Sequence, residues 1–354
     1  MTAQGINTQW LIYGANGYSA QLAIEKAVAQ GLKPIVAGRN QSAIETLAKQ
    51  FDLPSRVFDL SNIDRVAQQI ADVSIVSHCA GPFSATAEPM MKACIKAGTH
   101  YTDITGEGGV FGLSQELHDQ AREAGVVLMG GVGFDVIPTD CLANFLQQQL
   151  PDATHLVMGF DGKMDLSPGT SKTMVEGISQ GMAVRRNGAI KRVGRGFEMR
   201  TIDFGLGPKM SSVIPWGDLY TAYWQTKIPN ISIYVPFRGS KLEIILFPLV
   251  KLAMSIPFVR NRAMEKAARA IGPNAEKRAN SRIHVWGEIK NTSGKVVSAG
   301  IEVPDGYTVT MDGIIMAADF LRDYQGEGGC YTPSQLMGHT LAEQLPGAGS
   351  FKLL

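Results

Sequence analysis

Three clusters in this chain combine residue types that can do chemistry. The first is a glycine-punctuated stretch, Gly14-Ala15-Asn16-Gly17-Tyr18-Ser19-Ala20, which follows the apolar run Trp10-Leu11-Ile12-Tyr13 and precedes a helix-like segment over 21–30. In such a strand–turn–helix the first glycine permits a tight bend and the second lets backbone N–H groups approach a pyrophosphate. The helix then presents its positive end to the phosphates. The spacing is Gly-x-x-Gly-x-x-Ala rather than Gly-x-Gly-x-x-Gly, so a plain strand–helix turn is an open alternative. The second cluster, Gly38-Arg39-Asn40, closes the strand expected at 35–37, where a dinucleotide site reads the ribose. An NAD site would place Asp or Glu there. Gly38 occupies that position, and the neighbouring Arg39 offers a guanidinium to a 2′-phosphate, which favours NADP(H) over NAD. A solvated arginine is the alternative. Asp59, at the end of a third strand over 56–58, either accepts from the adenine amine or caps the next helix.

The third cluster holds titratable groups that follow strand ends: Asp103, Glu107 and Asp135, with Tyr101 and His100 beside them. A hydride acceptor that becomes an anion needs a proton donor, and open α/β sheets bind ligands on this side. Each residue also has a structural alternative. Asp135 and Asp140 can cap a helix beginning near Pro138, Tyr101 can lie in the core, His100 can hydrogen-bond at a strand start, and water can be the donor.

The elements that position these clusters follow from pattern. Strands are expected at Trp10–Tyr13, 35–37, 56–58, 73–77, 101–104 and 126–129, alternating with amphipathic stretches such as 42–51, 88–97 and 114–124. That alternation predicts a doubly wound α/β domain with a parallel sheet, the Rossmann type, over 1–130. Past about Phe134 the texture changes. An Asn187-Gly188 turn within 185–190 and a hairpin of 282–290 with 295–303 predict a second α+β domain with a mixed sheet over 131–305. The C-terminal part, 306–354 with its helix near 308–321, is expected to return to the first domain.

Composition narrows the function classes. The 354 residues suit about two domains. The formal net charge of +1, with no long basic run, leaves nucleic acid no electrostatic footprint. The four cysteines, Cys79, Cys94, Cys141 and Cys330, are scattered, which supports neither a metal site nor a disulfide framework and predicts reduced thiols in a cytoplasm. No basic region followed by an apolar core marks a secretory signal. Residues 242–259 are apolar except for Glu243, Lys251 and Ser255 and contain Pro248 and Pro257. Three readings are open for this segment: a helix in the core or a dimer interface, a peripheral contact with a membrane or lipid, and a membrane span.

The motifs, taken together, resemble the saccharopine dehydrogenase-like oxidoreductases, including the branch of trans-acting enoyl reductases. The resemblance rests on the glycine turn at 14–20, Val36-Ala37-Gly38-Arg39-Asn40, Ser77-His78-Cys79-Ala80-Gly81-Pro82-Phe83, the run 97–107 and Gly133-Phe134-Asp135-Val136-Ile137-Pro138-Thr139-Asp140. Gly306-Tyr307-Thr308 and 329–333 complete it. It implies a Rossmann domain for NADP(H), a second domain closing over the substrate, and hydride transfer in the cleft between them. Ala80, Gly81, Pro82 and Phe83 would line the nicotinamide side. Gly133, Phe134 and Asp135 would face the substrate cleft with Thr170 and Ser171, one of which can instead be a helix cap. A homodimer through the second domain's sheet is implied as well. The expected substrate is a small or lipid-like carbonyl or enoyl compound, or else a saccharopine-type amino acid, which would call for convergent guanidinium groups; Arg185, Arg186, Arg192, Arg195 and Arg200 alternate with turns and glycine, so most of them read as solvated faces. A cofactor-binding scaffold without turnover is the third possibility.

Overall fold

Strand β1, Trp10–Tyr13, is apolar and buried at all four positions, as in a strand covered on both faces. Successive side chains alternate, so Trp10 and Ile12 enter one core and Leu11 and Tyr13 the other. The computed structural model describes residues 10–163, 165–194, 198–237 and 239–354. These form two compact units: the described residues up to Ile137 with Gly306–Met337, and Pro138–Asp305 with Gly338–Leu354.

From β1 the first unit continues through α1 (Tyr18–Ala29), β2 (Ile35–Gly38), α2 (Gln41–Phe51), β3 (Ser55–Val57), α3 (Ile63–Gln69), β4 (Ile75–His78), α4 (Phe83–Ala97), β5 (His100–Asp103), α5 (Gly108–Glu116), α6 (His118–Glu123) and β6 (Val127–Met129). The chain passes into the second unit along α7 (Ile137–Gln149), then forms β7 (Ala153–Gly162), α8 (Pro168–Gln180), β8 (Met182–Arg186), β9 (Ala189–Val193), β10 (Met199–Asp203) and β11 (Pro208–Ile214). There follow α9 (Asp218–Thr226), β12 (Asn230–Pro236), α10 (Lys241–Met254), α11 (Pro257–Ala268), α12 (Ala275–Asn280), β13 (Arg282–Asn291) and β14 (Val296–Pro304). It returns to the first unit with α13 (Gly306–Arg322), β15 (Gly329–Tyr331) and α14 (Pro333–Met337), and ends in the second with α15 (Leu341–Gln344) and β16 (Lys352–Leu353).

The first unit's sheet runs β15-β6-β5-β4-β1-β2-β3, with every pairing parallel. This is the expected Rossmann-type order, which reverses between β1 and β4 and opens a ligand crevice at the strands' C-terminal ends there. Apolar faces of α1, α2 and α13 cover one side of the sheet, through Ile24, Ile44 and Ile314 among others. Helices α3, α4 and α6 cover the other, through Val66, Met90 and Ala121.

In the second unit β7 lies between β12, parallel to it, and β13, antiparallel to it, inside the mixed sheet β10-β11-β12-β7-β13-β14-β16. The β8–β9 hairpin turns on Asn187 and Gly188 at φ +50° and +77°, the geometry that makes Asn-Gly the favoured two-residue turn. Between β13 and β14 the Asn291 side chain accepts from the Lys295 backbone N–H at 2.9 Å.

Several expected boundaries shift. The segment 131–135 stays with the first unit because Val132 N donates to Asp103 O at 2.7 Å. The return of 306–354 is split at Gly338, since β16 pairs with β14 at the edge of the second sheet. The helix expected over 114–124 is two helices that meet at Leu117. The segment 242–259 falls across α10 and α11, which begins at Pro257. No helix among the described residues is long and apolar enough to cross a membrane.

Because Ile314 is fully buried among Ile24, Val36 and their neighbours, Ile314→Ala is expected to cost about 2–5 kcal/mol. It should lower the thermal unfolding midpoint of the first unit, whereas Ile271→Ala, at a position 89% exposed, should leave the melt unchanged. Calorimetry of the two variants checks this.

Candidate functional site

At the C-terminal end of β1 the chain turns at Gly14, whose φ of +81° lies in the left-handed region. A Cβ there would sit 2.7 Å from Ala80 N, just beyond β4. The ends of the two strands that flank the reversal of strand order therefore meet with no room for a side chain. Gly14 N and Ala15 N both donate to Ala37 O of β2, at 2.8 and 3.1 Å, and Gly17 N donates to Gly14 O at 2.9 Å. Helix α1 starts directly after this turn with no side-chain cap and no acid in its first turn. Its first amides have no acceptor within the helix, and its positive end suits an anion.

On the ribose side, a Cβ at Gly38 would lie 3.7 Å from Asn16 Oδ1 and 3.0 Å from Ile44, so the end of β2 abuts the glycine turn. Arg39 is exposed beside it. Asn40 is the cap of α2, its Oδ1 accepting from Ala43 N at 3.1 Å. Asp59 is exposed and accepts from the Ser61 backbone N–H at 2.8 Å and from the Ser61 hydroxyl; these bonds hold its carboxyl below the usual carboxylate range. The cap of α3 is Asn62, not Asp59. Tyr13, which the sequence did not single out, donates its hydroxyl to Phe58 O at 3.0 Å. Burial first, and the Asp59 charge second, push that hydroxyl up to about 12. Its position as the last residue of β1 was the available signal.

The three candidate carboxylates have separate environments. Asp103 is buried at the end of β5 and accepts from Thr105 N and Gly131 N, both at 2.9 Å, and from the Tyr101 hydroxyl at 2.7 Å. Burial raises its carboxyl to about 6, against the pull of those donors. Glu107 accepts from Phe83 N at 3.0 Å and Ser84 N at 2.8 Å, so it holds the first amides of α4, which has no side-chain cap of its own. Asp135 is half-buried, and burial alone pushes its carboxyl up to about 6. A Cβ at Gly106 would come 2.4 Å from Asp135 Oδ2, so the loops after β5 and β6 are brought together over Gly106. Asp103 and Glu107 are thus committed to backbone amides, and Asp135 is the carboxyl whose state only its desolvation governs.

Other expected residues take structural places. His100 Nδ1 accepts from Val127 N at 3.0 Å, tying β5 to β6. The Phe134 ring is buried against Gly306, and its backbone N–H donates to the Thr310 hydroxyl at 3.1 Å. Gly133 leaves space for that same threonine. Gly81 and Pro82 are exposed between β4 and α4, Ala80 is half-buried, and Phe83 is buried. His78 is fully buried among the rings of Tyr13, Phe83 and Tyr101, and burial lowers it to about 3.

In the second unit the cap of α8 is Ser167, whose hydroxyl accepts from Thr170 N at 3.3 Å, rather than Thr170 or Ser171. Asp140 is fully buried within α7. Arg200 grips Glu288 with both terminal nitrogens, at 3.0 and 2.8 Å. Arg186 pairs with Glu198 at 2.5 Å. Arg185 is buried, donates to Leu219 O at 2.6 Å and lies 4.0 Å over the Tyr223 ring. These three guanidinium groups are already engaged inside the fold, and Arg195 lies outside the described residues. Among the described residues no three His, Cys, Asp or Glu side chains are grouped to hold a metal.

Residues 10–129 match the saccharopine dehydrogenase NADP-binding domain family. The chain is 29% identical to a mouse saccharopine dehydrogenase-like oxidoreductase over 170 residues, 42% of this chain and 40% of that protein. It is 29% identical to a putative trans-acting enoyl reductase of Mycobacterium tuberculosis over 195 residues, 51% of this chain and 46% of that protein. Both matches span less than half the length of the relative. A solved apo saccharopine dehydrogenase (L-Glu forming) from Saccharomyces cerevisiae shares the fold at a TM-score of 0.65 and 14% identity, covering 98% of this chain and 100% of that one. The switch-point turn and the parallel strand order of the first unit agree with the match of residues 10–129 to the saccharopine dehydrogenase NADP-binding domain family, and the solved yeast protein shares the fold.

Proposed function

We propose that the protein is an NADP(H)-dependent oxidoreductase that acts on a small or lipid-like carbonyl or enoyl substrate. The observation that carries this reading is the grouping, within one unit, of the Gly14–Ala80 close approach, the uncapped start of α1 and the Asp135 carboxyl over Gly106. The residues present fit the cofactor. The α1 amides would hold the pyrophosphate, Gly14 would admit it to the backbone, and Arg39 beside Gly38 would take the 2′-phosphate, with no carboxylate at position 38 to repel it. When bound, NADP(H) supplies or accepts the hydride. Asp135 is then the proton donor to the oxyanion or carbanion formed from the substrate, and in the reverse direction its carboxylate is the acceptor.

Two observations favour an apolar substrate over a tricarboxylate amino acid. Arg185, Arg186 and Arg200 are engaged with carbonyls or glutamates rather than left to converge on substrate carboxylates. The mycobacterial relative carries the name of a putative trans-acting enoyl reductase. NADPH consumption should therefore appear with medium-chain enones or aldehydes and not with glutamate or 2-oxo acids. Consumption with the amino and oxo acids alone would reverse the assignment.

Asp135→Asn should lower kcat by roughly 10²–10⁴-fold while leaving the thermal midpoint and NADPH affinity in place. A donor titrating at about 6 is protonated below that pH, so the reductive rate of the native protein should fall as pH rises through about 6, and the variant should lose that inflection. An unchanged rate in the variant removes Asp135 from the chemistry. Asp103→Ala, by contrast, leaves Thr105 N, Gly131 N and the Tyr101 hydroxyl without their acceptor. It should cost at least about 1–3 kcal/mol, seen as a lowered thermal midpoint.

A further inference from the structure

Helix α10 is apolar on both sides. Phe247 and Met254, seven residues apart, are buried on one side of it. Leu249 and Leu252 lie roughly half a turn around the axis from that pair and are 61% and 66% exposed. Leu246 and Val250 are exposed beside them, and Ile256 and Phe258, at the start of α11, extend the apolar surface. An ordinary surface helix carries polar residues opposite its buried stripe; an apolar second side needs a covering phase. Helix α8 packs against both α10 and α11 and adds the exposed Met174, so the patch stands on a supported three-helix group within the second unit.

What surrounds the patch is basic. Arg260, Arg262, Lys266 and Arg269 are all exposed on or directly after α11, whose one acid is Glu265. The Arg262 guanidinium lies 5.3 Å from the centre of the Phe258 ring. Phe258, Arg262, Lys266 and Arg269 follow at spacings of four, four and three, so they share one face of α11. An apolar tip followed by a row of cations matches a surface whose acyl layer lies beneath a layer of negative charge. A second copy of this chain fits less well, because a two-fold interface sets the same patch against itself and brings the α11 cations no acid of that helix beyond Glu265. At 14 residues α10 is about 21 Å long, short of the roughly 30 Å hydrocarbon core of a bilayer, which leaves lying on the surface rather than crossing it.

We infer that the α10–α11 face docks this protein peripherally on an anionic lipid surface, with Leu249, Leu252 and Phe258 entering the acyl boundary and the α11 cations meeting the headgroups. This surface belongs to the second unit, whereas the Gly14 turn belongs to the first. The test is flotation of the full-length protein with phosphatidylcholine vesicles, with and without phosphatidylglycerol, at low salt. Native protein should float with the anionic vesicles at least tenfold more than with neutral ones. Leu249→Gln/Leu252→Gln should lose most of that partition, Phe258→Gln should lose part of it, and Arg262→Glu/Lys266→Glu should erase the preference for phosphatidylglycerol. All these positions are exposed, so the thermal midpoints should stay at the native value. Native protein that remains unfloated with both vesicle types overturns the proposal. So does a Leu249→Gln/Leu252→Gln protein that floats like the native one while light scattering shows a native dimer converted to monomer, which would assign the face to a second copy.

Discussion

The contact between Gly14 and Ala80 sets the terms for the rest of the first unit. Two parallel strands that leave the sheet in opposite topological directions must end side by side, and here their ends approach so closely that only a hydrogen fits between them. That approach fixes where the chain turns into α1 and where the loop before α4 begins. It also explains why the four-residue apolar strand β1 is followed by a glycine at positive φ rather than by a polar turn residue. A sheet of this order has its ligand crevice at this point, and the family match covers the same strands.

Three acidic residues within one unit show how environment assigns roles to like chemistry. Asp103 and Glu107 gather backbone amides from neighbouring loops, as buried or capping carboxylates must when main-chain donors would otherwise be orphaned. Asp135 has burial without such compensation. A carboxyl raised by desolvation alone can exchange its proton without dismantling a loop, which is what an acid–base group requires. By accepting from Gly131 N, Asp103 ties the end of β5 to the loop that carries Asp135.

Much of the fold was legible because periodicity reports burial. The alternation of short apolar runs and amphipathic stretches located the parallel strands, and Asn187-Gly188 located a hairpin. Local side-chain bonding was not legible in the same way. Asn40 reads as a cofactor residue by position but caps α2. Asp59 reads as an adenine contact or a helix cap but closes a turn with Ser61. Ser167, three residues ahead of Thr170, is the cap of α8. Nor could spacing reveal that Arg200 is paired with Glu288, 88 residues away in sequence. The split of the C-terminal segment at Gly338 was hidden for a related reason: a two-residue strand completing a sheet edge leaves almost no pattern in the sequence.

In the function proposed above, the first unit is an NADP(H) site selected by Arg39 rather than a generic strand–helix turn. Equilibrium titration of the intact protein with NADPH and NADH, repeated with Arg39→Ala, addresses it directly. Native protein should prefer NADPH by tenfold or more, about 1.4 kcal/mol, and the variant should lose that preference. Equal affinity for the two nucleotides, or binding of neither, would contradict it.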